Sequence, residues 1–213
     1  MREFIEKRYS ILGPRVAQAL KERSFDAYYF DDPSEAAEKI ISLIPKNHLV
    51  SWGGSMTMTS LGIQERLANE GYNLLDRSKA AAGEEQMEIM RRALLCDTFL
   101  AGSNAISEDG QLVNIDGNGN RVAAMTFGPK QVIVAAGMNK VVQTLEDAVI
   151  RARTIAAPTN VQRFPGLKPP CDETGSCEDC ISGDTACSYI VTTRFCKPQG
   201  RIKVVLIGKD LGF

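Results

Sequence analysis

The sequence predicts an α/β protein with a mixed, mainly parallel sheet that is covered by helices and carries an antiparallel insert. Short apolar runs alternate with segments of helical spacing through residues 1–101, as in parallel or mixed sheets. Residues 131–135 are almost entirely apolar, which is typical of a strand buried on both faces. Asp109-Gly110 lies between two short runs of alternating polarity, which is a strong hairpin signal.

The first half of the chain supplies most of the alternating elements. Apolar residues at helical spacing predict one or two helices over residues 1–23, with a break at Gly13-Pro14. After a strand at 27–30, Asp32 and Pro33 are the residues of a helix start, an N-cap followed by proline. The further elements are predicted as strand 48–52, helix 59–69, strand 72–75, helix 84–95 and strand 98–101.

The second half contains the insert and a segment of different composition. The hairpin pairs residues 104–107 with 111–115, and we expect a third strand of the insert at 120–126. Strand 131–135, a helix at 144–155 and a last strand at 201–207 complete the domain. Residues 158–200 are rich in Pro, Cys, Gly, Asp and Thr. We therefore expect one α/β domain over residues 1–157 and 201–213, with 158–200 as an appended Cys-rich lobe.

Composition and charge restrict the class of protein. The 213 residues are 44% hydrophobic and 24% charged, which is ordinary for a soluble globular protein. A net charge of −1 argues against nucleic acid or an anionic membrane as a partner. No apolar run approaches the roughly 20 residues of a membrane helix, and the charged stretch Met1–Arg8 lacks a signal core. We expect a cytoplasmic protein, and a homo-oligomer stays open.

A glycine-rich turn follows the strand at 48–52 and precedes a helix. Glycines there let the backbone approach a ligand, and free N–H groups face negative charge. Further polar residues fall at strand ends or turns, where open α/β sheets place their ligands. An ordinary loop and solvated side chains are the alternative. We predict a cleft for a small anionic ligand lined by Gly53, Gly54, Ser55, Thr57, Asn104, Asn120, Arg121 and Lys140.

Five of the six cysteines lie close together near the C-terminal end. In a reducing compartment such a cluster indicates metal or redox chemistry rather than disulfides. Cys177 and Cys180 can present two thiolates to one ion, and Cys171 and Cys187 can complete four ligands. Four thiolates suit tetrahedral zinc or an iron–sulfur cluster, and the spacing does not choose between them. Reduced, unliganded cysteines are the alternative, and Cys96 is expected to be a small buried hydrophobe.

Glu108 lies on the predicted hairpin turn. A carboxylate held on a tight turn after a strand can act as a nucleophile or a general base. A solvated hairpin turn is the alternative interpretation.

Several motifs in order resemble the lactate-utilisation (LUD) domain family, in the subgroup with a Cys-rich C-terminal segment. The resemblance covers nearly the whole chain. The motifs are Ser51–Thr57, Gly102–Ile106, Asn118–Arg121, Gly128–Lys130, Gly137–Lys140, Pro170–Cys180, Gly200–Ile202 and Ile207–Gly212.

The resemblance implies a fold similar to that of sugar-phosphate isomerases and CoA transferases, with a glycine loop at the ligand site. It also implies a component of lactate or organic-acid oxidation that works beside iron–sulfur partner subunits. The turn around Glu108 is similar to the Ser-Glu-Asn-Gly turn that carries the catalytic glutamate of CoA transferases, with Asp109 in place of Asn. Two alternatives therefore stay open, namely a transferase- or isomerase-like enzyme using Glu108 and a non-catalytic scaffold with a structural zinc site.

Overall fold

The computed structural model of the protein describes residues 1–213 and contains nine α-helices and ten strands. The helices are α1 (Arg2–Glu22), α2 (Pro33–Ser42), α3 (Met56–Ser60), α4 (Ile63–Asn69), α5 (Glu84–Arg92), α6 (Asn120–Thr126), α7 (Leu145–Arg151), α8 (Ala157–Val161) and α9 (Pro170–Thr174). The strands are β1 (Asp26–Phe30), β2 (Leu49–Trp52), β3 (Asn73–Leu75), β4 (Thr98–Gly102), β5 (Ala105–Ser107), β6 (Leu112–Asp116), β7 (Gln131–Gly137), β8 (Val141–Val142), β9 (Tyr189–Thr193) and β10 (Ile202–Ile207).

Six parallel strands form the central sheet, in the order β1-β10-β7-β4-β2-β3. The predicted α/β class with a mainly parallel sheet is therefore confirmed. All seven residues of β7 are buried, as expected for a central strand that is covered on both faces. The last strand of the chain, β10, lies between β1 and β7 in the interior of the sheet. None of the helices has the length and apolar character needed to span a membrane.

Helices cover both faces of the central sheet, because successive side chains of a strand point to opposite faces. In β7, Val132 and Val134 join an apolar cluster that includes residues of α1 and α6. Ile133 and Ala135 join a second cluster, with residues of α2, α3 and α4. The core is therefore a double layer, with the sheet between two sets of helices.

A second sheet of four strands has the order β8-β5-β6-β9. The predicted hairpin is confirmed, since β5 and β6 are antiparallel and Ala105 pairs with Val113. Gly110 in its turn has a φ of 88°, a conformation that favours glycine. A Cβ added there would lie 2.7 Å from the carbonyl carbon of Ala19 in α1, so this turn packs directly against the first helix.

The expected third strand at residues 120–126 is wrong, because these residues form α6. The amide of Val122 donates to Asp116 Oδ2 at 2.8 Å, which satisfies one free N–H at the helix start. The buried residues of α6 have helical rather than alternating spacing: Arg121, Val122, Ala124 and Met125. The strand that pairs with the outer edge of β6 is instead β9, which belongs to the Cys-rich segment 158–200.

Two helix predictions in the first half also need correction. The expected break at Gly13-Pro14 is absent, since α1 runs unbroken through both residues. A Cβ on Gly13 would overlap the ring of Tyr29 in β1, so this glycine permits close packing of α1 on the sheet. The single helix expected at residues 59–69 is instead two helices. The first, α3, begins earlier, at Met56, with Ser55 as its N-cap, and ends at Ser60, and α4 begins at Ile63 after Gly62, which has a φ of 65°.

The helix predicted at residues 144–155 begins as expected, with a capping box between Thr144 and Asp147. It extends further than predicted, through a π-helical turn at Ala152–Ala156 and then α8. Pro158 has no N–H to donate to the preceding turn, which fits the wider helix at this point. This continuation carries the start of the segment 158–200 to the edge of the central sheet.

Candidate functional site

The candidate site is a cleft of about 430 Å³ at the carboxyl ends of three parallel strands. Gly54 and Ser55 follow β2, Ser103 and Asn104 follow β4, and Lys140 follows β7, and all five line the cleft. Parallel strands present their carboxyl ends at one edge of a sheet, which is where α/β proteins bind ligands. The volume is typical of small-molecule sites.

Six of the eight predicted ligand-binding residues line this cleft: Gly54, Ser55, Asn104, Asn120, Arg121 and Lys140. Gly53 and Thr57 lie behind its wall. The N–H of Gly53 donates to the carbonyl of Leu100 at 3.0 Å, so this group is used within the sheet. A Cβ on Gly53 would lie 3.0 Å from Cγ of Arg121, so the glycine makes room for that side chain.

Arg121 is held in place by a network of hydrogen bonds and is 8% exposed. Its Nε donates to Asp116 Oδ1 at 3.0 Å, and its Nη2 donates to Asn104 Oδ1 at 2.8 Å and to the carbonyl of Ile115 at 2.7 Å. Asp116 is the only carboxylate residue that lines the cleft. Because its charge is paired with Arg121, it leaves the other cations of the cleft uncompensated.

Lys140 is the most deeply buried cation of the cleft, at 4% exposed. Its Nζ donates to Thr57 Oγ1 at 2.9 Å, and no carboxylate lies within ion-pair distance of it. Burial, with smaller contributions from the charges of Arg151 and Arg121, lowers the pKa of Lys140 from 10.5 to about 7. Burial therefore destabilises its ammonium, and a bound anion would favour the charged form.

Two arginines of the cleft were not predicted. Arg77 follows β3 and Arg163 follows α8, and both line the cavity. Partial burial and the nearby charge of Arg77 lower the pKa of Arg163, although much of its side chain is exposed. Arg77 follows a short strand, so it could have been predicted from the rule that α/β sheets bind ligands at the carboxyl ends of their strands. Arg163 is brought in by the helix continuation beyond residue 155, and nothing in the local sequence indicated that.

Glu108 does not lie in this cleft. It is on the hairpin turn, at the opposite end of β5 from Asn104. Its carboxylate is 3.8 Å from a guanidinium nitrogen of Arg8, in a partly exposed pair. The structure therefore does not bring the predicted catalytic glutamate together with the predicted binding residues.

The four predicted metal ligands, Cys171, Cys177, Cys180 and Cys187, line one separate cavity of about 60 Å³. All four are free thiols. Burial, followed by the neighbouring cysteines, raises the pKa of Cys187 to about 11. No group of three or more His, Cys, Asp or Glu side chains is arranged as a metal site, so the thiols share a cavity without forming a closed ligand set.

The two remaining cysteines lie in the main core. Cys96 is 2% exposed, as expected of a small buried hydrophobe, and Cys196 is 1% exposed. Cys196 Sγ accepts a hydrogen bond from the amide of Ile202 at the start of β10. Neither thiol lines the four-cysteine cavity.

The fold and the cleft together define an α/β protein whose candidate site lies at the carboxyl edge of a parallel sheet. The model of the LUD domain family matches residues 14–207. The chain therefore belongs to the LUD domain family, and this membership supports a role related to lactate utilisation. A search of curated proteins finds no match.

Solved structures were compared with the whole chain. A DUF162 family protein from Deinococcus radiodurans has a TM-score of 0.55 and 11% identity, covering 93% of this chain and 97% of that one, which shows a shared fold. Ribose 5-phosphate isomerase A from Neisseria gonorrhoeae has a TM-score of 0.40 and 14% identity, covering 83% of this chain and 92% of that one.

Proposed function

We propose that this LUD-domain protein binds a small organic anion in the cleft, as a component of lactate or organic-acid utilisation. One observation carries the proposal. Arg77, Lys140 and Arg163 line the same cavity without a carboxylate partner, although the chain as a whole has a net charge of −1. Positive charge is therefore concentrated where a ligand would enter, and the buried ammonium of Lys140, which lacks a charged partner, favours a ligand of opposite sign.

The character of the lining favours an organic anion with more than one polar group. Asn118, Asn120 and Asn160 add amide groups around the cations, and amides can donate to hydroxyl or carboxyl oxygens. Phe164 and Leu167 supply an apolar part of the wall. This combination of a few polar anchors and some apolar surface is typical of sites for small organic molecules.

The alternative of a transferase or isomerase using Glu108 has no support from the geometry of the cleft, since Glu108 lies elsewhere. The iron–sulfur partner subunits implied by the resemblance to LUD proteins stay a prediction, as does the cytoplasmic location. Anion binding by this chain can be tested without either of them.

The test is titration calorimetry of the purified full chain with L-lactate, citrate and ribose 5-phosphate, which represent a monocarboxylate, a tricarboxylate and a phosphate ester. We expect saturable binding of at least one of them, weakened by added salt because the attraction is electrostatic. Lys140→Met and Arg163→Gln should each reduce the affinity by about tenfold or more, the scale of a lost charged contact.

Lys130→Met is the matched control. Lys130 precedes β7, at the opposite edge of the sheet, and its side chain is 77% exposed. This variant should bind as the wild type does. The proposal would be wrong if none of the three anions bound, or if all three variants bound equally well.

A further inference from the structure

We propose that Cys171, Cys177, Cys180 and Cys187 bind one zinc ion, and that this ion fixes the loop that forms one wall of the cleft. The proposed zinc site depends only on the cysteine cavity and not on the proposed anion binding. Its consequence for ligand affinity rests on the anion-binding function proposed above.

The donor set fits zinc. The four cysteines come from α9, from the loop after it and from the residue two before β9, and they line one cavity. No histidine lines this cavity. Sets of four thiolates hold structural zinc in tetrahedral geometry. Arg153 lies beside the cavity, with Nη2 4.0 Å from Cys177 Sγ, but the same nitrogen is paired with the carboxylate of Asp179.

The cysteine cavity has a volume of about 60 Å³ and is lined by four thiols and no histidine. Because four cysteines are a typical ligand set of structural zinc, we assign the cavity to a single zinc ion, and the iron and sulfide content of the protein distinguishes this ion from an iron–sulfur cluster. The free thiols do not form a closed ligand set, so zinc binding requires the four sulfurs to approach to about 2.3 Å from a common centre.

Thr185 connects the cysteine cavity to the cleft. Its Oγ1 lies 3.6 Å from Cys180 Sγ and accepts a hydrogen bond from the amide of Cys187 at 3.3 Å. The same residue lines the cleft, together with Gly183, Ala186 and Ser188. The loop between Cys180 and Cys187 therefore borders the cysteine cavity on one side and forms a wall of the cleft on the other.

Zinc would hold both ends of this loop, at Cys180 and at Cys187. The loop also packs on the turn after β6, since a Cβ on Gly117 would lie 3.5 Å from Cα of Ala186. A loop fixed at both ends loses less conformational entropy when a ligand orders it. Zinc should therefore tighten anion binding without contacting the anion.

The first experiment measures the metal itself. The full chain, reduced and freed of metal by a chelator, is titrated with zinc alone against a chromophoric chelator, and in parallel with cobalt as a spectroscopic substitute. We expect one zinc per chain and a cobalt spectrum with sulfur-to-cobalt charge transfer and tetrahedral bands. Cys177→Ala and Cys180→Ala should lose the site, whereas Cys96→Ala and Cys196→Ala, which change free thiols outside the cavity, should keep it.

The wild-type cobalt spectrum does not depend on whether the variants fold. The proposal is overturned if the chain binds far less than one zinc, if the spectrum lacks sulfur ligation, or if Cys177→Ala binds zinc as the wild type does. A brown protein that contains iron and sulfide would also overturn it, in favour of a cluster.

The second experiment measures the coupling to the cleft. Hydrogen exchange of residues 181–188 is compared with and without zinc, in the absence of any anion. We expect slower exchange on zinc binding by about tenfold or more, and unchanged exchange would refute the coupling. Because no anion is present, this outcome is independent of the proposed function. If an anion binds, its affinity should also rise with zinc in the wild type and not in Cys177→Ala.

Discussion

Replacement of Lys140 by methionine should stabilise the fold while it removes a cation from the cleft. The side chain is 4% exposed and has only the hydroxyl of Thr57 as a hydrogen-bond partner. Methionine has a similar length and shape and carries no charge. The variant therefore tests whether the buried ammonium lowers the free energy of unfolding.

The magnitude follows from the depressed pKa. In the unfolded chain the amine keeps its proton up to about pH 10.5, whereas in the folded protein it loses the proton near pH 7. Between these values the unfolded state binds more protons, so wild-type stability rises with pH across this window. Since one pKa unit corresponds to about 1.36 kcal/mol, the depression from 10.5 to about 7 destabilises the wild type by about 5 kcal/mol below pH 7.

The assay is urea unfolding of wild type and Lys140→Met at several pH values. We expect the variant to be more stable by about 3–5 kcal/mol at pH 6, after allowance for the lost hydrogen bond to Thr57 of about 1 kcal/mol. The advantage should fall to about 1–2 kcal/mol at pH 9 and vanish near pH 10.5. Lys130→Met, at an exposed ion pair, should change stability by less than about 1 kcal/mol. A variant less stable than wild type at pH 6, or an advantage that did not change with pH, would refute the reasoning.

Three further predictions concern the cleft, a helix cap and a buried amide. Gly54→Val should reduce anion affinity by about tenfold or more and change stability by less than about 1 kcal/mol. The added Cβ would meet only the flexible guanidinium ends of Arg77 at 3.4 Å and Arg163 at 3.9 Å. Calorimetry measures the affinity and urea unfolding the stability, and an unchanged affinity would contradict the prediction. Asp32→Ala should cost about 1 kcal/mol in urea unfolding, because its carboxylate caps α2 through the amide of Ser34 at 2.6 Å; no loss would show that the cap contributes nothing. Asn114→Leu should stabilise by about 1–3 kcal/mol, since this residue is 1% exposed and neither polar atom of its side chain has a partner; destabilisation would mean that the amide is satisfied by internal water.

The cleft illustrates a conflict between stability and binding. Lys140 is buried and its pKa is depressed for that reason, and neither it nor the more exposed Arg163 is paired with a carboxylate. A sequence selected for stability alone would fill such positions with apolar residues or add acidic partners. A buried lysine without a carboxylate partner at the carboxyl edge of a sheet is therefore a stronger indication of a ligand site than the glycine turn beside it.

The sequence by itself determined the local elements and the class of fold. The near-apolar run of β7, the Asp-Gly turn after β5 and the N-cap at Asp32 each depend on short-range chemistry, and all three are present as predicted. The strand-end rule also brought six of the eight predicted binding residues to one cleft. The local elements were predictable because propensity, capping and alternation act over a few residues, and the cleft was predictable because parallel strands place their carboxyl ends at one edge of the sheet.

The tertiary structure alone decided what depends on distant partners. Residues 120–126 form a helix because Asp116 caps them, and the open edge of β6 is taken by β9 from a segment more than 70 residues later. Asn104 directly precedes β5 and Glu108 directly follows it, so this short strand places the two side chains at its opposite ends. Arg163 reaches the cleft on the continuation of the helix past Pro158, which includes a π-helical turn. In each case long-range packing selects among conformations that the local sequence allows, and the spacing of residues does not predict which one forms.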